Sequence, residues 1–267
     1  MTVWCNGHFV ESLSLNVAER GLMLGDGIFE TIAARDGKPV WLNDHLTRMT
    51  AAARELGLPF DEFVILSATE EVVAKSASPS EVLRVTLTRG PTPRGFAAPS
   101  TNPSLIISLN PFDLTKLPKA VKLATSSIRR NTTSPASRLK TLSYIDNVAA
   151  AREVADRADD ALMLNTDGHV ACTTIANIFM LKDAKLITPS NDQAILRGIA
   201  RGKLISCAAE IGLQIEARPI KPEELKDADA VFLTNSLRLA TAVSTIDGIP
   251  TGTRNIDFIN AYLSKAT

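Results

Sequence analysis

Lys140 stands in Ser137-Arg138-Leu139-Lys140-Thr141-Leu142-Ser143-Tyr144, between two leucines and after the turn-forming Ser134-Pro135-Ala136-Ser137. An ammonium among apolar neighbours loses hydration, which lowers its pKa toward the neutral amine. The neutral amine adds to carbonyl carbons, so the chemistry open to this lysine is Schiff-base formation. A solvated surface lysine is the ordinary alternative. The stretch Arg89-Gly90-Pro91-Thr92-Pro93-Arg94-Gly95-Phe96 sets two guanidiniums in a stiff loop, a good way to present a fork to a carboxylate. In Leu196-Arg197-Gly198-Ile199-Ala200-Arg201 a glycine opens a helix, whose free N–H groups and dipole favour an anion. Plain backbone accommodation would explain that glycine equally. Thr234-Asn235-Ser236 puts three hydrogen-bonding side chains at a strand end, either an ordinary turn or a second wall for a phosphate. Arg20 to Thr31 is rich in glycine, consistent with a closely packed loop or with a strand passing near a ligand.

These residues need elements to position them. Asn6-Gly7 and Asp36-Gly37 favour primed turns, so residues 3–41 read as hairpins. Asn43 suits the cap of a helix with Leu46, Met49, Ala53 and Leu56 on one face, Arg48 beside that stripe, and Gly57 as the stop. A second helix is expected over 61–77, then strands over 82–88 and 105–109. Two prolines and no periodicity over 110–118 read as a linker. The expected division is an N-terminal domain at 1–112, a linker at 113–118 and a C-terminal domain at 119–267 that carries Lys140. The second half begins with a strand at 121–125. A helix follows at 145–158, with Ile145, Val148, Ala149 and Val154 inward. Strands at 161–164 and 169–172 flank Thr166-Asp167-Gly168, and 177–181 and 186–188 add two more. The helix from Gly198 runs to about Glu210, and a strand covers 230–233. The fold class is α/β (α+β), in two domains.

The 267 residues are 45% hydrophobic, enough for a full core, and 29 basic residues balance 29 acidic ones. That balance offers no surplus for nucleic acid or an anionic membrane. Met1 to Gly7 lacks the charged and apolar regions of a signal peptide, and no apolar run approaches a membrane span of roughly 18–20 residues. Cys5, Cys172 and Cys207 lie far apart without metal-ligand spacing, so the expectation is a cytoplasmic protein with free thiols and no metal.

Taken in order, these pieces resemble the class IV, or fold-type IV, pyridoxal-phosphate enzymes. That family includes D-amino-acid and branched-chain aminotransferases and aminodeoxychorismate lyase. The resemblance covers nearly the whole chain. Gly25-Asp26-Gly27-Ile28-Phe29-Glu30-Thr31 is similar to the family's glycine-rich segment, and His45-Leu46-Thr47-Arg48-Met49 to its phosphate-binding helix. Thr88-Arg89-Gly90 with Arg94-Gly95 resembles the substrate loop, and Lys140-Thr141-Leu142-Ser143-Tyr144 the Schiff-base segment. Gly168 through Asn177-Ile178-Phe179 and Leu196 through Arg201 resemble the signature and the phosphate cradle that follow. Six matches in one order make the resemblance specific.

The resemblance implies pyridoxal 5'-phosphate as cofactor, bound in the interdomain cleft, and a homodimer. It implies that Lys140 forms the Schiff base and moves the proton. Arg48, the N–H groups of Ile199 and Ala200, and Asn235 with Ser236 would hold the phosphate. Arg94 would bind a substrate carboxylate, Phe29 and Thr31 would line the substrate pocket, and Tyr144 would reach the ring hydroxyl. Two departures stand out. Ala200 replaces a threonine of many relatives, and Cys172 stands where the family carries the glutamate that keeps the pyridine nitrogen protonated. Counting from Gly168 and from Asn177 gives the same position. The activity implied first is transamination between an amino acid and a 2-oxo acid. The second is aminodeoxychorismate lyase, which gives 4-aminobenzoate and pyruvate; Phe232 to Arg238 and the short length lean that way. A cofactor-binding protein with lost catalysis is the third, motivated by Cys172.

Overall fold

Asn6 and Gly7 have φ of 44° and 99°, and Asp36 and Gly37 have 48° and 72°. Both pairs thus take the left-handed turn that their residue types favour. The first joins β1 (Thr2–Cys5) to β2 (His8–Phe9), the second β3 (Gly27–Arg35) to β4 (Lys38–Pro39). The structure is a computed structural model that describes residues 1–100, 102–113, 116–252 and 254–265.

The chain forms two units: Met1–Thr115 with Leu139–Tyr144, and Lys116–Arg138 with Ile145–Thr267. In the first, β5 (Ser80–Thr88) and β6 (Ser104–Pro111) complete an antiparallel sheet of order β2-β1-β6-β5-β3-β4. Its helices are α1 (Arg20–Leu24), α2 (Leu42–Leu56) and α3 (Glu62–Val73). Trp41, with φ 54°, occupies the N-cap of α2, so Asn43 falls inside the first turn rather than capping it; Gly57 ends the helix as expected. Asp61 caps α3 by accepting from the N–H groups of Phe63 and Val64. Alternate residues Ile28, Ile32 and Ala34 of β3 meet Leu46, Met49 and Ala53 of α2 in one core. Phe29 and Thr31 therefore face the other side.

Leu139–Tyr144 belongs with the first unit, not with the C-terminal half where the expected division put it. The reason is backbone pairing: Phe29 N–H donates to Lys140 O (2.9 Å) and Leu142 N–H to Gly27 O (2.9 Å). Thr141 bridges Ile28 on the edge of β3 away from β5. Of the expected linker, Leu114 and Thr115 lie outside the described residues.

The second unit contains β7 (Ala120–Arg130), α4 (Pro135–Arg138), α5 (Ile145–Val154), β8 (Asp160–Asn165), β9 (Val170–Thr173), β10 (Asn177–Lys182) and β11 (Lys185–Thr188). Then come α6 (Ile199–Cys207), β12 (Gln214–Ala217), β13 (Ala230–Asn235), β14 (Leu239–Ile246), β15 (Ile249–Pro250) and α7 (Asp257–Lys265). The sheet runs β12-β11-β10-β13-β14-β7-β8-β9, and β9 pairs back onto β10 through Cys172 and Asn177. The path from β10 to β9 thereby closes on itself. Helix α5 buries Val154 as expected, but its first turns face differently: Ile145 and Val148 are 71% and 40% exposed, while Asn147 and Ala150 are buried. Asn147 decides the rotation, because its side chain accepts from the buried Arg130 and donates to Thr174 O.

Candidate active site

Pairing against β3 puts Lys140 on the face of Phe29. Its Nζ lies 4.3 Å from the Phe29 ring centroid and 3.4 Å from Tyr144 Oη, to which it donates. A tight turn, with Tyr144 N–H on Leu142 O, folds the tyrosine back toward the lysine. Tyr144 also meets Phe29 edge to face at 5.2 Å. The guanidinium of Arg84 covers Phe29 at 3.9 Å, reaching diagonally from its Cα partner Thr31. Burial pushes the Lys140 ammonium down to about 8; Glu30 opposes that shift, and the charges of Arg48 and Arg84 add to it. The desolvation read from the flanking leucines is present, reinforced by two cations that sequence reading did not connect with it.

This leads to a measurable pH dependence. In the cofactor-free protein, modification of Lys140 by an aldehyde with a mild hydride donor should reach half its maximum near pH 8. Exposed lysines should follow about two units higher. A Lys140 midpoint at the exposed-lysine value would contradict the described environment.

On the opposite face of β3, Glu30 is 1% exposed and points to α2. Its Oε1 accepts from Arg48 Nε (2.8 Å), and its Oε2 from Arg48 Nη2 (2.6 Å) and His45 Nδ1 (2.7 Å). Burial by itself would raise this carboxyl, but the Arg48 charge and the His45 and Arg48 hydrogen bonds overcome it and hold it at about 2. Helix spacing of three puts His45 and Arg48 on one face. An acid inside Ile28-Phe29-Glu30-Thr31-Ile32 is the signal that could have found this cluster.

Arg94 is exposed, and the loop that carries it is tied down around it. Arg20 donates from Nη1 to Gly95 O (2.8 Å), from Nη2 to Phe96 O (3.0 Å) and from Nε to Asp26 (2.8 Å). Arg89 also donates to Asp26 (2.8 Å), and its remaining nitrogens hold the carbonyls of Gly57 and Leu56. Asp26 therefore anchors both the start of the loop and the arginine that grips its middle.

The remaining expected residues lie in the second unit. Helix α6 begins at Ile199 after Gly198, with no side-chain cap, so its first N–H groups point outward from the helix end. A Cβ at Gly198 would collide with Asn177 Oδ1, while Asn177 Nδ2 donates to Leu196 O (2.8 Å). That glycine is needed to seat Asn177. Asn235 Oδ1 accepts from the N–H groups of Leu237 (3.1 Å) and Arg238 (2.8 Å), which closes a turn at the end of β13. Ser236 is half-buried in the same turn. Cys172 is buried in β9, and burial pushes its thiol up; Arg130 pulls it down and Asp160 pushes it up further. Arg130 donates to Ala194 O, Asn147 Oδ1 and Ser137 O.

A depressed lysine beside two arginines suits a molecule bearing both a carbonyl and anionic groups. The neutral thiol at 172 does not suit a ring nitrogen that must stay protonated.

The family described as amino-transferase class IV matches residues 27–246. An aminodeoxychorismate lyase of Bacillus subtilis is 28% identical over 95% of this chain and 89% of its own length. Among solved structures, a candidate 4-amino-4-deoxychorismate lyase from Legionella pneumophila superposes with a TM-score of 0.90 at 31% identity, covering 96% of this chain and 97% of that one. The T.th. branched-chain amino acid aminotransferase, complexed with N-(5'-phosphopyridoxyl)-L-glutamate, gives a TM-score of 0.91 at 27% identity, covering 100% and 94%.

Proposed function

Because the chain belongs to the class IV aminotransferase family, we propose that it uses pyridoxal 5'-phosphate to move an amino group between an amino acid and a 2-oxo acid. The observation that carries this reading is Lys140: an amine brought down to about 8, hydrogen-bonded to Tyr144 and lying against Phe29. The bound cofactor supplies an electron sink for the pair released when the substrate Cα–H bond breaks. Lys140 would be the residue that holds the cofactor at its carbonyl carbon, and its Nζ, an amine with a pKa near working pH, would be the general base that carries the proton. Tyr144 orients Nζ through its hydroxyl. Arg48 would hold the phosphate, as would the N–H groups of Ile199 and Ala200, in the manner of a helix N-terminus. Asn235 and Ser236 would contribute side-chain donors. Cys172 would stand at the ring nitrogen as a neutral thiol. Phe29 and Thr31 shape the substrate side, and Arg94 takes a carboxylate. Arg84, beside Lys140, offers a second carboxylate partner that sequence reading passed over. The protein acts as a homodimer in the cytoplasm. Exposed Leu22 and Met23, beside the loop gripped by Arg20, are apolar surface suited to a second copy. No helix among the described residues is long and apolar enough to cross a membrane.

The lyase reading is favoured by the two lyase-named relatives described above, and it uses the same lysine. Half-reactions separate the readings. Pyridoxamine phosphate formed from an amino acid marks the aminotransferase, and pyruvate with 4-aminobenzoate marks the lyase. Neither product would leave a cofactor-binding protein.

Arg94→Lys tests the carboxylate role. Lysine keeps the charge and loses the fork. A charged hydrogen bond contributes about 1.5–3 kcal/mol, so kcat/KM for carboxylate substrates should fall roughly 10- to 100-fold while the cofactor stays bound. Unchanged kcat/KM would remove Arg94 from the substrate site.

A further inference from the structure

We propose that Glu30 is a positioning residue for the cofactor's phosphate, fixing the guanidinium plane of Arg48 from within the core while His45 braces it from behind. The inference rests on the reading of Arg48 given above and extends it to two side chains that touch no ligand. Glu30 and His45 are 1% and 0% exposed. Removing a carboxylate from water is expensive, and burying an ion pair offers no assured gain in stability. Such a pair is therefore better explained by what it orients than by what it stabilises. The geometry is that of an orienting device. Arg48 presents Nε and Nη2 side by side to the two oxygens of one carboxylate, at 2.8 and 2.6 Å, which fixes the direction of a planar group. His45 Nδ1 takes up the remaining strong acceptor position on Oε2 at 2.7 Å, so the carboxylate cannot swing away. With Nδ1 on the carboxylate, His45 Nε2 is buried and has no hydrogen-bond partner among the described residues. His45 thus makes its single polar contact to Glu30. Strand β3 sets Glu30 opposite α2, and the three-residue helical spacing aims both partners at it.

Glu30 also acts on Lys140, so the test must separate the two effects. Cofactor-free protein is titrated with pyridoxal 5'-phosphate and with pyridoxal, which share the aldehyde and differ only in the phosphate. Any change in Lys140 alters both affinities alike and cancels in their ratio. Glu30→Gln should reduce the preference for the phosphorylated form at least 10-fold. Arg48→Ala should reduce it at least as far, and the double variant should lose little more, as expected for residues acting in series. If Glu30→Gln does not fold, Glu30→Asp, whose shorter carboxylate cannot hold both partners, takes its place with the same expectation. An equal loss for both ligands would make Glu30 merely structural and overturn the proposal, as would full additivity in the double variant. If Arg48→Ala alone leaves the preference intact, the reading of Arg48 fails instead, whatever Glu30 does.

Discussion

Lys140→Ala should lower turnover by roughly 10²–10⁴-fold, the usual contribution of a positioned proton-transfer group, while the fold persists. The fold should persist because Lys140 contributes its backbone carbonyl to β3, and alanine keeps it: Phe29 N–H still donates to the carbonyl at 140. What is lost is the Nζ beside Phe29 and Tyr144, and with it the group in this cluster brought to about 8. Lys140→Arg should be as damaging, since a guanidinium does not give up its proton near neutral pH. Turnover at saturating substrate, beside circular dichroism of each variant, measures both effects. A folded Lys140→Ala protein within tenfold of the parent would show that another group moves the proton.

Cys172→Glu should raise the rate of the first half-reaction, on the order of 10-fold or more. The buried thiol is pushed up by burial, so near neutral pH it is an uncharged, weak donor. A carboxylate within about 4–6 Å of a ring nitrogen would support its protonated form by roughly 1–3 pKa units, at about 1.4 kcal/mol each. The parent protein lacks that support. Arg130 sharpens the contrast, because its charge already acts on position 172 and its nitrogens are directed to carbonyl and amide oxygens. A glutamate at 172 would answer that charge and be held ionised by it. Nitrogen NMR of labelled cofactor should show an unprotonated ring in the parent and a protonated one in the variant. A protonated ring in the parent, or an intact variant that is no faster, would contradict this account of Cys172.

Local chemistry was legible in the sequence wherever one residue type decides one conformation. Asn6-Gly7, Asp36-Gly37 and Gly57 each take the left-handed backbone their types favour. The alternating strands and the amphipathic α2 were likewise readable. Long-range pairing was not. That Leu139–Tyr144 joins the edge of β3 depends on backbone bonds to Gly27 and Phe29, more than a hundred residues away. Arg84 reaches Phe29 only because the register of β3 against β5 pairs it with Thr31. The first turns of α5 face differently because apolar Ile145 and Val148 give way to a polar Asn147 that bonds Arg130 at the end of β7, a partner the helical periodicity does not reveal. Glu30 was overlooked as a single acid in an apolar strand, and its meaning emerges only with His45 and Arg48 beside it. The departure at Cys172 was visible by counting alone, since a substitution within a recognisable motif requires no coordinates.

Borohydride reduction of the purified protein, which is expected to be yellow, followed by peptide mapping, tests most directly the proposal that Lys140 joins the cofactor. The expected result is a single pyridoxyl group, on the peptide containing Lys140-Thr141-Leu142. A pyridoxyl group on any other lysine, or on none, would contradict the account.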